Sequence, residues 1–146
     1  MNKYIVRGVN HLMIITADNK DKAVAEFYKV NKERVLMVVE HGTKCKVLIA
    51  GKITGEPVKE CFYKFTDARY DIRWMFTGVP CEVINPLYLD GISFGVSHDE
   101  AVDINLRELK TCTHLYMLKD WQKSKGARYI HAQAERDNIQ IIYEEF

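Results

Sequence analysis

A chain of 146 residues has room for one main core and a small addition to it. Its 47% hydrophobic and 28% charged content is ordinary for a globular protein. A formal net charge of +1, with no dense Lys/Arg run, argues against nucleic-acid binding by counterion release. No apolar run approaches the ~20 residues that cross a bilayer, and the amino terminus lacks the apolar stretch and cleavage site of a secretory signal. A cytoplasmic protein with neither nucleic-acid nor membrane partners is expected. The four cysteines, Cys45, Cys61, Cys81 and Cys112, form no CxxC pair, so reduced and buried thiols are expected rather than a zinc site or disulfides.

The first 44 residues read as a small β-α-β extension that adds to a sheet or forms an oligomer contact. Residues 4–16 look like one strand, bent along its length. Residues 18–31 carry Ala23, Phe27 and Val30 on one helical face. Residues 34–40 hold the run Val35, Leu36, Met37, Val38 and Val39, a strand.

From Lys46 onward, short apolar runs alternate with longer amphipathic segments. The strand at residues 46–50 stops at Gly51. Pro57 then opens a helix whose stripe is Val58, Cys61, Phe62, Phe65, Ala68, Ile72 and Met75, with Gly78 as its carboxyl cap. Tyr63, Tyr70 and Trp74 fall on the same helix and read as packing residues. Residues 81–84 form the next strand, broken by Asn85 and Pro86. A loop with Gly91 and Gly95 leads to Ser97 and Glu100 in capping-box spacing, and Val102, Leu106 and Leu109 follow on one face. Residues 114–118 are a third strand. Residues 119–124 turn through Gly126 and Ala127 into a helix with Ile130 and Ala134, closed by Asn138, and residues 139–143 are the last strand.

Strand, helix, strand repeated three times implies an α/β fold with a mostly parallel sheet and helices on both faces. Ligands of such sheets bind at the carboxyl ends of the strands. Those ends feed residues 51–56, 85–97 and 119–124, three loops rich in Gly, Asn and Ser that converge on one edge.

Two short motifs stand on those loops. Gly51, Lys52, Ile53, Thr54 and Gly55 join a strand to a helix, and are read either as a plain turn or as a phosphate loop. They match neither a Walker A motif nor a dinucleotide fingerprint. Trp121, Ser124, Gly126 and Ala127 open the last helix. Ser124 suits an N-cap or a phosphate contact, Lys123 and Lys125 stand nearby, and Trp121 could stack on a ligand. His11 and His114 lack the hydroxyl residue of a His-x-Thr phosphoesterase pair. His98 and His131 lie closer to the expected site as candidate acid–base groups, beside their plainer reading as solvated or core residues. No metal-ligand cluster is evident, and no cofactor is expected.

Residues 46–55, then Val83, Ile84, Asn85 and Pro86, then residues 112–118 followed by Trp121, Ser124, Gly126 and Ala127, together resemble small phage and bacterial domains similar to nucleoside 2-deoxyribosyltransferases and deoxynucleoside-monophosphate N-glycosidases. The resemblance covers residues 45–146 and implies a flavodoxin-like α/β domain, in homodimers or larger assemblies, that binds a nucleoside or nucleotide. It implies that residues 51–55 contact base and sugar, and that Ser124 and its helix amino terminus take a phosphate or sugar hydroxyls, with Asn85 nearby.

The resemblance also implies cleavage of an N-glycosidic bond. A Glu four residues beyond the motif glycine acts as nucleophile or electrostatic stabiliser, and an Asp on the preceding helix orients the substrate or handles the proton. Counted in this chain, the Glu position falls on Ile130, the Asp position on Asn105, and a further acid position on Thr113. None is a carboxylate. The expectation is therefore a nucleotide-binding protein on a catalytically impaired scaffold, a phage protein in the host cytoplasm that sequesters an ADP-ribose-derived or cyclic nucleotide signal. Two alternatives stand beside it: an active glycosidase or deoxyribosyltransferase using Asp103, Glu135 or His131 instead, and an interaction module working through residues 1–44.

Overall fold

The computed structural model describes residues 1–92 and 96–144; Gly95 of the second loop lies outside them. The contacts divide the chain into two compact units, Met1–Lys44 with Trp74–Pro80, and Cys45–Arg73 with Cys81–Phe146.

In the first unit, β1 (Asn2–Gly8) pairs antiparallel with β2 (Leu12–Ala17) and with β3 (Val35–Glu40). The expected single bent strand is thus a hairpin, closed where the Gly8 N–H donates to the His11 carbonyl at 2.8 Å. The Glu33 carboxylate braces this turn by accepting the Asn10 N–H and pairing with His11 Nδ1. The Asn10 N–H chiefly holds the Glu33 carboxyl below the usual carboxylate range, with His11 assisting. Helix α1 (Lys20–Val30) starts at Asn19, whose side chain accepts the Lys22 N–H at 2.9 Å. Ala23 and Phe27 enter a core with Tyr4, Val6, Ile15, Ala17 and Val38. Val30 does not join them: it is the last helical residue and stays exposed. The unit is therefore β-β-α-β rather than β-α-β. Its sheet, ordered β2-β1-β3, is separate and does not extend the parallel one.

The second unit is a four-stranded parallel sheet in the order β5-β4-β6-β7, formed by β4 (Cys45–Ala50), β5 (Cys81–Ile84), β6 (His114–Met117) and β7 (Gln140–Tyr143). Between them run α2 (Val58–Met75), α3 (His98–Leu109) and α4 (Lys125–Arg136). The chain goes from β4 to β5 on one side, then back across β4 to β6. Right-handed crossovers accordingly place α2 on one face and α3 and α4 on the other. Leu48, Ala50, Leu115 and Met117 pack against Leu109, Ala127, Ile130 and Ala134. At roughly 1.5–3 kcal/mol per fully buried large apolar side chain, this cluster and the α2 stripe are the main stabilising force.

On α2, the buried stripe is Cys61, Phe65, Ala68, Ile72 and Met75. Tyr63, Tyr70 and Trp74 each lie two residues beyond a buried position, about 200° around the helix, and are exposed, with the Arg7 guanidinium 5.0 Å over the Trp74 ring. Val58 and Phe62 are also largely exposed, and Phe62 meets Tyr88 edge-on at 6.3 Å. The Ser97 hydroxyl caps α3 by accepting the Glu100 N–H at 3.2 Å. Asn138, at φ 55°, closes α4 as expected.

None of the four cysteines forms a disulfide. Burial drives the Cys81 thiol up to about 12 and the Cys112 thiol up to about 11, and raises that of Cys61. At pH 8 the thiolate fraction at Cys81 and Cys112 is then on the order of one in a thousand or less. A chromogenic disulfide reagent should titrate all four thiols in denaturant and react very slowly with the folded protein. Rapid reaction of all four in the native state would contradict this burial.

Gly51 supplies a second test. A Cβ built there would lie 2.5 Å from Leu118 Cδ1 and 2.8 Å from Leu118 Cβ. Gly51→Ala should lower the unfolding free energy in urea by about 1–3 kcal/mol, and Leu118→Ala should partly relieve the added strain in the double variant.

Candidate functional site

At the carboxyl ends of the parallel strands the three sequence-predicted loops do converge. A small, open cleft lies there. Gly51, Ile53 and Thr54 from the first loop, Pro86 from the second and Ser124 from the third line it, together with residues of α3 and α4. Ile53, Thr54, His98 and Ala101 also line an adjoining hollow, which Gly55, Glu56, Val58, Ile92 and Val96 complete. The position is the switch point of the sheet, between β4 and β6, whose outgoing connections run in opposite directions to β5 and β7.

The first loop is held from beneath. The Lys52 N–H donates to Asp120 Oδ1 at 3.0 Å, and Lys64 on α2 donates to Asp120 Oδ2 at 2.6 Å and to the Lys52 carbonyl. The Leu118 N–H donates to the Ala50 carbonyl at 2.8 Å. With Gly51 pressed on Leu118, these bonds fix how the chain leaves β4. The Glu56 N–H bonds the Ile53 carbonyl at 3.1 Å, and Gly55, at φ +81°, takes the left-handed position that this turn requires. Loop 51–55 therefore forms a pinned turn. The Lys52 N–H is already engaged by Asp120, and its ammonium lies 3.8 Å from Glu56, so neither lines the cleft. Asp120 was not singled out from the sequence. The available signal was an acid just beyond a strand that the parallel topology places beside the first loop.

Helices α3 and α4 form the other wall and approach closely. A Cβ on Gly126 would sit 3.1 Å from Val102 Cγ2 and 3.3 Å from His98 Nε2, so Gly126 acts through helix contact. The Ser124 hydroxyl accepts the Ala127 N–H at 3.1 Å, the N-cap bond, while its residue lines the cleft. His98 lies beside it. Its Nδ1 is 3.3 Å from Asp99 Oδ1, and its Nε2 is buried without a hydrogen-bond partner.

The two positions to which the resemblance assigns acids are both here. Asn105 and Ile130 are each 5% exposed, and both line the cleft. Asn105 Nδ2 donates to the Ala101 carbonyl at 2.8 Å. The third position, Thr113, precedes the amino end of β6, away from the cleft, and its hydroxyl accepts the Lys46 N–H at 3.0 Å. Among the described residues that line the cleft, none carries a carboxylate; Glu56 stands in the adjoining hollow.

The remaining candidates lie elsewhere. Asn85 does not line the cleft: its side chain accepts the Leu87 N–H at 3.0 Å and caps a short 3-10 turn, which brings Pro86 into the wall. Trp121 does not line the cleft; it stacks on His131 with ring centroids 4.2 Å apart. His131 in turn bonds the Tyr143 hydroxyl at 2.7 Å and pairs with Glu135 at 3.2 Å. Asp103 is exposed beside Arg107, Lys110 and Gln133. His131, Glu135 and Asp103, the proposed replacement acids, therefore all point away from the cleft. Lys125 lines an outer groove with Arg128 and Tyr129. No group of three or more His, Cys, Asp or Glu able to hold a metal occurs among the described residues, and none of the helices there is long and apolar enough to cross a membrane.

No match was found among curated proteins or solved structures. Residues 45–143, most of the second unit, match the family model described as a domain of unknown function, DUF4406. The chain belongs to the DUF4406 family.

Proposed function

We propose that the second unit binds a nucleotide or nucleoside in this cleft and does not cleave it. The observation that carries the reading is that Asn105 and Ile130 both face the cleft. These are the positions where the nucleoside 2-deoxyribosyltransferase-like resemblance expects the acids of N-glycosidic cleavage. Such cleavage needs a carboxylate to attack, or to stabilise, the positive charge that develops at the anomeric carbon. An isoleucine offers no charge, and an asparagine offers hydrogen bonds but no useful base. Loss of both acids lowers a rate by many orders of magnitude, while binding can persist.

The walls suit a flat, partly apolar ligand. Ile49, Ile53, Pro86, Ala101, Val102 and Ile130 supply apolar surface, while Thr54, His98, Asn105 and Ser124 supply hydrogen-bonding groups. With no carboxylate among the described residues that line the cleft, a phosphate entering it meets no like charge from them. In this reading the protein retains its ligand. Sequestration of an ADP-ribose-derived or cyclic nucleotide signal by a phage-encoded protein is the use that the resemblance suggests. The outward placement of Asp103, Glu135 and His131 removes the support for a rearranged active site.

Mass spectrometry of small molecules released from the purified protein by denaturation should find an intact nucleotide or nucleoside. Incubation with deoxynucleoside monophosphates and NAD should return them unchanged. Recovery of free base and sugar phosphate would overturn the reading. Ala101 lines both the cleft and the adjoining hollow, so Ala101→Trp should fill the site. It should weaken nucleotide binding by at least about tenfold, and abolish the rise in melting temperature that a ligand specific to the native state produces. Undiminished binding would place the site elsewhere.

A further inference from the structure

We propose that β2 is a dimerisation edge, on which a second copy of this chain pairs its own β2 antiparallel to form a continuous six-stranded sheet. This proposal concerns the first unit and is independent of the nucleotide reading.

The register shows which backbone groups are free. Gly8 and His11 form a hydrogen-bonded pair at the hairpin turn, with the Gly8 N–H donating to the His11 carbonyl. Antiparallel ladders alternate bonded and non-bonded pairs. Val6 opposite Met13 and Tyr4 opposite Ile15 are then bonded pairs, while Arg7–Leu12, Ile5–Ile14 and Lys3–Thr16 are not. The N–H and C=O groups of Leu12, Ile14 and Thr16 therefore point outward, along an edge where the sheet order β2-β1-β3 supplies no further strand among the described residues.

This edge lacks the devices that blunt edge strands. Its residues, Leu12, Met13, Ile14, Ile15, Thr16 and Ala17, include no charge, no proline and no glycine. Leu12 is 42% exposed and Ile14 is 62% exposed. The opposite edge differs: β3 follows Lys32, Glu33 and Arg34, ends in Glu40, and has a register shift opposite Arg7 and Gly8. One edge is guarded and the other is left open and apolar.

A second copy fits because a two-fold axis through Ile14 makes the strand self-complementary. Ile14 then faces Ile14 of the second copy, Leu12 faces Thr16, His11 faces Ala17, and Asn10 faces Asp18. No like charges are opposed. All three outward residues find a bonded partner, giving roughly six backbone hydrogen bonds, whereas a shift of the axis to Met13 or Ile15 loses one of these pairs. The exposed Ile14 side chains come together on one face.

The test is the solution mass of the full chain, with variants that read the register. Sedimentation or light scattering should give a dimer. Ile14→Lys, at an exposed position, should keep the far-UV circular dichroism of the parent and raise the dimer dissociation constant by more than about tenfold, because it sets two ammonium groups face to face. Ile14→Cys should cross-link to its own copy on mild oxidation, since bonded antiparallel partners sit with Cα atoms about 5.5 Å apart, within disulfide reach. Leu12→Cys should not cross-link to itself, but should do so when mixed with Thr16→Cys. A monomer at all concentrations, a dimer indifferent to Ile14→Lys, or self-linking of Leu12→Cys in preference to Ile14→Cys would each overturn the proposal.

Discussion

The second unit depends on how closely β4 and β6 run together where they leave the sheet. Leu118 continues β6 by donating its N–H to Ala50, and its side chain fills the space that a Cβ on Gly51 would need. Asp120 then ties the first loop to α2 by accepting from the Lys52 N–H and from Lys64. Both members of the Lys64–Asp120 pair are about three-quarters buried, so this bond is less screened than a surface ion pair. The steric constraint and the charged hydrogen bonds act on the same few residues. Together they send the chain over the strand ends before it enters α2, and so give the cleft its floor.

The opposite wall follows a similar logic. Gly126 lets α4 approach α3 until Val102 and His98 touch its backbone, and this brings Asn105 and Ile130 to the same opening. Shape and electrostatics part company at that point. The fold keeps the opening at the switch point of the sheet, while none of the described side chains that line it carries a carboxylate or an ammonium group.

Much of the second unit was legible because parallel strands buried on both faces read as continuous apolar runs, and helices read at three- and four-residue steps. The strands at residues 46–50, 81–84 and 114–118, the caps Ser97, Ser124 and Asn138, and the convergence of three loops all stood in the sequence. The hairpin of the first unit did not. From Tyr4 to Gly8 every residue of β1 is buried, so no alternation marks the strand, and the turn at Val9 and Asn10 lacks the Asn-Gly or Asp-Gly signature. The α2 aromatics misled for another reason: hydrophobic character does not say which side of a two-faced helix it serves, and Tyr63, Tyr70 and Trp74 lie opposite the buried stripe. Asp120 and the Trp121–His131–Tyr143 cluster are tertiary facts. They follow from β6 lying between β4 and β7, which no local pattern encodes.

The same cluster bears on how a ligand could be held. Trp121 stands at the head of α4, where an aromatic ring would be the natural platform for a base. His131 and Tyr143 draw it to the β7 side instead, and the cleft is left with aliphatic walls and the His98 imidazole. Stacking on large rings therefore contributes little to recognition inside the cleft. In the proposed binding role, affinity would come from excluding water between Ile53, Pro86 and Ile130, from a loop held in place beforehand, and from a few hydrogen bonds. A loop fixed by Asp120, Lys64 and the Gly51–Leu118 contact would lose little entropy on binding, which is how the proposed ligand would be held by a small aliphatic cleft without rings to clasp it.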